Sequence, residues 1–155
     1  MNDFIYSIDV ANADASLLAK LKSLTHGPDG YMTAILDLCY RMRVVHDKDD
    51  FTCLLYIFKI KSSIVGWAIV QDLLYRHEDY LDLSIYVSPL HRKQGIASAI
   101  MHSIQDENSD KKISVWVDNK SNEKLFAAFK GEVFTPFDSD AYSKDKSYKL
   151  YNFDK

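Results

Sequence analysis

Three strand-like runs in quick succession, TCLLYIFKI (52–60), SIVGWAIVQDL (63–73) and DYLDLSIYV (79–87), constrain the fold more than any other feature of the chain. Each is rich in β-branched and aromatic residues, and the breaks between them, such as KSS and RHED, are short and polar or charged. Short connections favour antiparallel neighbours, because a parallel return needs a crossover of about a dozen residues or more. The centre of the molecule is therefore expected to be an antiparallel meander.

The flanks complete the pattern. Upstream, DFIYSIDV reads as a strand at about 4–9, and Asn12 or Asp14 can cap the amphipathic helix ASLLAKLKSL. THGPDG is a turn cluster. A second helix over about 29–43 sets Ile35, Leu36, Leu38, Cys39 and Met42 at helical spacing, and the charged VVHDKDDF closes it. Downstream, a helix over about 92–106, the strand KKISVWV and the helix SNEKLFAAF follow the third central run, so a strand–helix–strand crossover with parallel strands is predicted. The tail GEVFTPFDSDAYSKDKSYKLYNF holds two more short strand candidates. Without repeats or linkers, the 155 residues read as one mixed α/β domain, 1–155, its mostly antiparallel sheet flanked by helices on both faces.

Composition narrows the partners. A formal net charge of −3 argues against a direct nucleic-acid binder, which would carry a basic excess to displace counterions from phosphate. Cys39 and Cys53 lie in the apolar runs LDLCYRM and FTCLLYIF and read as buried reduced thiols. The N-terminal MNDFIYSIDVANAD shows no leader pattern, and no run approaches the ~18 apolar residues of a membrane span, so a cytoplasmic protein is expected. His46 beside DKDD and His77 beside ED match no ligand spacing and read as solvated charge, so no metal is expected.

The stretch VSPLHRKQGIASAIM (87–101) carries the chemistry. In the strand before it, Leu81, Leu83, Ile85 and Val87 share one face and Tyr80, Asp82, Ser84 and Tyr86 the other, unusually polar one. Pro89 stops the strand, and Arg92, Lys93, Gln94, Gly95, Ile96 and Ala97 are expected in the first turn of the next helix. The first amides of a helix lack intrahelical partners and sit at its positive end, so they can bind an anion together. Gly95 and Ala97 keep the approach open, and Arg92 and Lys93 add charge where phosphates would sit. The pattern is neither a dinucleotide fingerprint nor a P-loop. Read from the residues alone, it is either a pyrophosphate cradle or a turn with solubilising charge.

The pattern Val87-x-Pro89-x-x-Arg92-x-x-Gly95-x-Ala97 resembles the acetyl-coenzyme A signature of the GNAT (Gcn5-related N-acetyltransferase) superfamily, and the predicted order of elements is similar to that family's fold. VWVDNKSNEKLFAAFKGEVF resembles the family's next strand, its Asn-bearing loop and its following helix. The resemblance implies an acetyl-CoA-dependent N-acetyltransferase in which a primary amine, on a protein or a small cationic molecule, attacks the thioester directly. It places the pyrophosphate on Arg92, Lys93 and the amides of Gln94, Gly95, Ile96 and Ala97, with Ser98 adding a hydroxyl. It places the pantetheine arm along Ile85, Tyr86 and Val87, with an amide of Ile85 or Tyr86 facing the thioester carbonyl. Asn119, Asn122 and Phe126 fall at its downstream cofactor positions.

For removal of the amine proton, Asp82 is the first candidate, flanked by Ser84 and Tyr80, with Glu78 and Asp79 next. The chain departs from the family where many members carry a thiolate-protonating Tyr, because the aligned position is Phe126 or Phe129. Tyr142, Tyr148, Tyr86 or a water would have to replace it. The alternative implied by that loss is a weak or inert GNAT-fold protein that binds and modulates a partner. A monomer or a homodimer fits either reading.

Overall fold

The meander forms the heart of the structure, a computed structural model that describes residues 3–25, 30–46, 51–72, 80–109, 112–117, 132–133 and 149–153. Its strands are β2 (Cys53–Ile60), β3 (Ser63–Gln71) and β4 (Tyr80–Val87). The connection between β2 and β3 is two residues long, and Lys61 takes a positive φ of 57° to close it, as tight hairpins require. On one side β1 (Asp3–Asp9) pairs antiparallel with β2, and on the other β5 (Lys112–Val117) pairs with β4. With β6 (Glu132–Val133) and β7 (Lys149–Phe153) the sheet order is β1-β2-β3-β4-β5-β7-β6. Among these pairings β4 with β5 alone is parallel, at the predicted crossover.

Helices cover both faces. α1 (Ala15–Leu24) begins at Asp14, whose carboxylate accepts the Leu17 amide at 2.7 Å. Asn12 ends a short 3-10 turn instead of capping α1, and Asp9 caps that turn through the Ala11 amide at 2.9 Å. α2 (Tyr31–Val45) packs with α1 over Cys53, Leu55, Ile57, Trp67 and Ile69, contributing Met32, Leu36 and Cys39 to that layer. α3 (Ile96–Glu107) covers the opposite face, burying Ile96, Ile100, Met101 and Ile104 against Tyr56, Ala68, Val70, Leu81 and Leu83. Each such apolar side chain contributes about 1.5–3 kcal/mol.

Cys39 and Cys53 are free, buried and hydrogen-bonded to one another. That bond, with burial, pushes the Cys53 thiol far up, so neither chemistry nor cross-linking is expected of it.

A β-bulge shapes the α3 side. Phe58 faces Gly66 while Lys59 faces Ile64, which leaves Val65 as the extra residue on β3. Val65 therefore packs under α3 although Ile64 and Trp67, its neighbours in the alternation, face α1 and α2. Gly66 follows on the α3 side, where an added Cβ would meet Ile96 Cγ2 at 3.1 Å, the Tyr86 carbonyl oxygen at 3.2 Å and Ile100 Cδ1 at 3.4 Å. Only a residue without a side chain lets α3 lie this close to the strands.

Two helices differ from expectation in their bounds. α2 starts and ends two residues later than the predicted 29–43, and α3 starts at Ile96, not near 92. Arg92, Lys93, Gln94 and Gly95 thus form a connector ahead of the helix. The reason is conformational: Lys93 has φ 63° and Gly95 φ 83°, neither of which a right-handed helix accepts. The predicted helix SNEKLFAAF lies outside the described residues.

Candidate active site

The site begins where two neighbouring strands part. β4 and β5 pair from Tyr80↔Lys112 to Leu83↔Val115 and no further. β4 nevertheless continues with β3 as far as Gly66↔Val87, and β5 continues with β7 through Trp116↔Leu150 and Val117↔Lys149. Each strand is thus held on its outer side and released on its inner one.

The released edge belongs to particular peptide groups. The Ser88 amide donates to the Val65 carbonyl at 2.8 Å, so the residue after β4 points its N–H toward β3. Strand alternation then turns the main-chain groups of Tyr86 and Ser84 toward β3 and those of Ile85 and Val87 toward the side that β5 leaves. Consistent with this, Arg92 Nε reaches the Val87 carbonyl at 2.9 Å.

The opposite wall is the start of α3. Pro89–His91 forms a single 3-10 turn after β4, closed by the His91 amide on the Ser88 carbonyl at 2.8 Å. Gly95 is the N-cap of α3 in the left-handed region, and no side chain caps the helix there. Among the described residues nothing lies within 4 Å of where a Gly95 Cβ would stand, which leaves the approach to the first helical amides clear of them. His91 Nδ1 is buried without a hydrogen-bond partner among the described residues. The Arg92 guanidinium sits 5.9 Å from the Tyr86 ring centroid, and Gln94 Nε2 donates to the Leu90 carbonyl at 3.4 Å. Lys93 is exposed, and Ala97 and Ser98 are half-buried in the first turn.

On the α1/α2 face of β4 lie Asp82, Ser84 and Tyr86. Asp82 stands opposite Gln71 on β3 and Ser114 on β5, one register position before the last β4–β5 pair. Burial, and secondarily the negative charge of Asp72, push its carboxyl up from 3.8 to about 7. Ser84 is half-buried opposite Ile69. Tyr86 is 7% exposed and packs opposite Trp67, so the face expected to be polar is in fact core at this end. On the other face Leu81 and Leu83 are buried, with Ile85 and Val87 packed beside them, as expected.

Of the candidate residues, Asp82, Ser84, Ile85, Tyr86 and Val87 lie along β4, and Arg92, Lys93, Gln94, Gly95, Ile96, Ala97 and Ser98 follow in the connector and first turn of α3. Glu78, Asp79, Asn119, Asn122, Phe126, Phe129, Tyr142 and Tyr148 lie outside the described residues. Three contributors escaped the sequence reading: Gly66, the Val65 bulge and Asp72. A glycine inside the strand pattern SIVGWAIV was the available signal for the first two. No pattern marked Asp72.

Among the described residues, the parallel pair β4–β5 parts on the side from which the connector leads into a helix start without a side-chain cap. The chain belongs to the acetyltransferase (GNAT) family, whose model matches residues 21–130. An N-acetyltransferase from Staphylococcus aureus Mu50 shares the fold with a TM-score of 0.65 at 17% identity, with 99% of each chain covered. The Salmonella typhimurium acetyltransferase-class protein yncA, solved with its cofactor acetyl-CoA, superposes with a TM-score of 0.63 at 15% identity, covering 98% of this chain and 92% of that one. The Campylobacter jejuni N-acetyltransferase PseH gives 0.63 at 12% identity, covering 97% and 98%. No curated protein matches the chain. Among the described residues no helix is long and apolar enough to cross a membrane.

Proposed function

We propose that the chain, acting as one domain over 1–155, is an acetyl-CoA-dependent N-acetyltransferase whose acceptor is a primary amine. The observation that carries this reading is the parting of β4 from β5 directly below the open N-terminus of α3. A thioester arm needs an unpaired strand edge, and its pyrophosphate needs donors, and both meet here.

The residues present fit the group. Among the described residues, none crowds Gly95, none caps the first amides of α3 with a side chain, and none partners the buried Nδ1 of His91. Ile96, Ala97 and Ser98, with Gln94 and Gly95, would supply amides to the pyrophosphate, and Arg92 and Lys93 its counter-charge. Bound acetyl-CoA supplies an activated acetyl group and a thiolate leaving group. The edge of β4 at Ile85 and Val87 would pair with the arm, and the direction of the Ile85 peptide favours its N–H, over that of Tyr86, as the donor to the charge that develops on the carbonyl oxygen.

In the transfer, a C–N bond forms between the amine and the acetyl carbon as the C–S bond breaks. The amine reaches the site protonated, since a lysine-like group has a pKa of about 10. Asp82, with its carboxyl near neutrality, accepts that proton directly or through a water, and a water or a tyrosine hydroxyl protonates the thiolate. The same carboxylate favours a cationic acceptor.

Thermal melting with acetyl-CoA tests the first half, since a ligand at a hundred times its Kd stabilises a fold by about 2.7 kcal/mol. A shift that Arg92→Glu abolishes supports the cradle, whereas no shift at millimolar concentration refutes the reading. Thiol release with a panel of amines tests the second half. Binding without release under any amine would leave a protein that grips the cofactor without turnover.

A further inference from the structure

Arg92 folds back onto the strand it follows. The 3-10 turn Pro89–His91, closed by the His91 amide on the Ser88 carbonyl, reverses the chain, and Arg92 leaves it in extended backbone with φ −71° and ψ 155°. Its side chain thereby returns to β4, where Nε donates to the Val87 carbonyl at 2.9 Å. The guanidinium carbon stands 5.9 Å from the Tyr86 ring centroid, within cation–π range. Two consecutive residues of β4 thus hold one arginine.

The carbonyl it holds lies on the released edge. The Ser88 amide on the Val65 carbonyl fixes the alternation, so Val87 turns its main-chain groups away from β3. In a continued sheet β5 would take them, but its pairing with β4 ends at Leu83↔Val115. Arg92 supplies the hydrogen bond that an amide of a neighbouring strand would otherwise make.

We propose that Arg92 is a specificity-determining latch: it closes the Val87 end of the β4 edge in the free protein, and a thioester opens that edge readily only if it carries a diphosphate that draws the guanidinium away. The inference rests on the proposed function, in which the cofactor arm pairs with Ile85 and Val87. An added strand would approach the Val87 carbonyl from the side that Arg92 already occupies, so the arm must displace the arginine. The bond is charge-assisted but exposed, strong enough to bias the edge and weak enough to break. A thioester without phosphate breaks it and gives the guanidinium nothing but water in return. A diphosphate exchanges it for a stronger ionic pair. Arg92 would therefore select between thioesters by what lies beyond the arm, without touching the acyl group.

Arg92→Ala removes latch and counter-charge together, and two probes separate them. Amide NMR titrations of the full chain give Kd for acetyl-CoA and for S-acetylpantetheine, which has the arm and the acetyl group but no phosphate. Arg92→Ala should weaken acetyl-CoA by about tenfold or more and tighten S-acetylpantetheine by about three- to tenfold, the size expected of one exposed charge-assisted bond. Equal affinity of wild type and variant for S-acetylpantetheine, including none measurable in either, overturns the latch while acetyl-CoA binding keeps the proposed function standing. Weaker binding of both probes to the variant also overturns it, because Arg92 would then support the edge instead of closing it. The Arg92 Nε–H signal, assigned by its loss in Arg92→Ala, gives a second readout in the wild type: saturation with acetyl-CoA should move it, and an unmoved signal overturns the latch. If acetyl-CoA does not bind the wild type at all, the proposed function fails and the latch with it.

Discussion

Gly95 and Asp82 show how much a single residue decides here. Gly95 holds φ at 83°, so Gly95→Ala is expected to destabilise the fold by about 1–2 kcal/mol through backbone strain. No collision with a described residue adds to that cost. The added methyl instead enters the cradle, so the acetyl-CoA-induced rise in Tm should shrink far more than the ligand-free Tm falls. At Asp82, replacement by Asn should lower kcat/KM by about 10²–10⁴-fold and remove the acidic limb expected near pH 7 for the wild type. Both residues were legible in the sequence, Gly95 from its setting between strand and helix and Asp82 from strand alternation. What could not be read was their conformation and environment: the left-handed turns at Lys93 and Gly95, which delay the helix, and the neighbouring charge of Asp72.

Between elements, the contacts that set the cleft come from residues with no motif. Gly66→Ala would drive a methyl against Ile96, Ile100 and the Tyr86 carbonyl, and overpacking of this kind costs about 1–3 kcal/mol. Because Ile96 opens α3, the displacement falls on the cofactor end of the helix. We expect a lower Tm together with a weaker acetyl-CoA response, measured by melting and by isothermal titration. The Asp9–Arg43 pair ties the end of β1 to α2, with Arg43 Nη2 and Nε donating to the Asp9 carboxylate at 2.8 and 3.2 Å and Nη1 to the His46 carbonyl at 2.8 Å. Arg43→Met leaves Asp9 part-buried without its cation and should cost on the order of 2–3 kcal/mol in urea unfolding. Hydrophobic spacing announced the helices and strands that make these contacts. It could not announce the bulge at Val65, because one extra residue shifts the alternation without leaving a compositional mark.

For the molecule as a whole, the antiparallel meander and the parallel crossover followed from run lengths and connection lengths, since a short break allows only an antiparallel neighbour, whereas the place of β7 between β5 and β6 did not. The parting of β4 from β5 did not follow from them; it depends on each strand being better served on its outer side. Stability should also carry the signature of Asp82. Its folded-state pKa lies above the unfolded value of 3.8, so the native state binds more protons between about pH 4 and 7. Stability is therefore highest at the acidic end of that window and falls as pH rises through it, by at most roughly 4 kcal/mol and by less with solvent screening. Urea titrations at a series of pH values should show the fall in wild type and its absence in Asp82→Asn.

The far end of α3 is fastened to β2. The Tyr56 hydroxyl donates to Glu107 Oε2 at 2.7 Å and accepts from Asn108 Nδ2 at 2.9 Å, while Asn108 also donates to the Ile104 carbonyl at 2.8 Å. Burial and the Glu107 carboxylate push the Tyr56 hydroxyl up, so it stays protonated and keeps the link intact. A helix anchored at its tail and open at its head cannot pivot when an anion arrives. On the proposed reading its dipole would be aimed beforehand, so little orientational entropy would be lost on binding, and the affinity of the cradle would depend in part on a tyrosine at the opposite end of the helix.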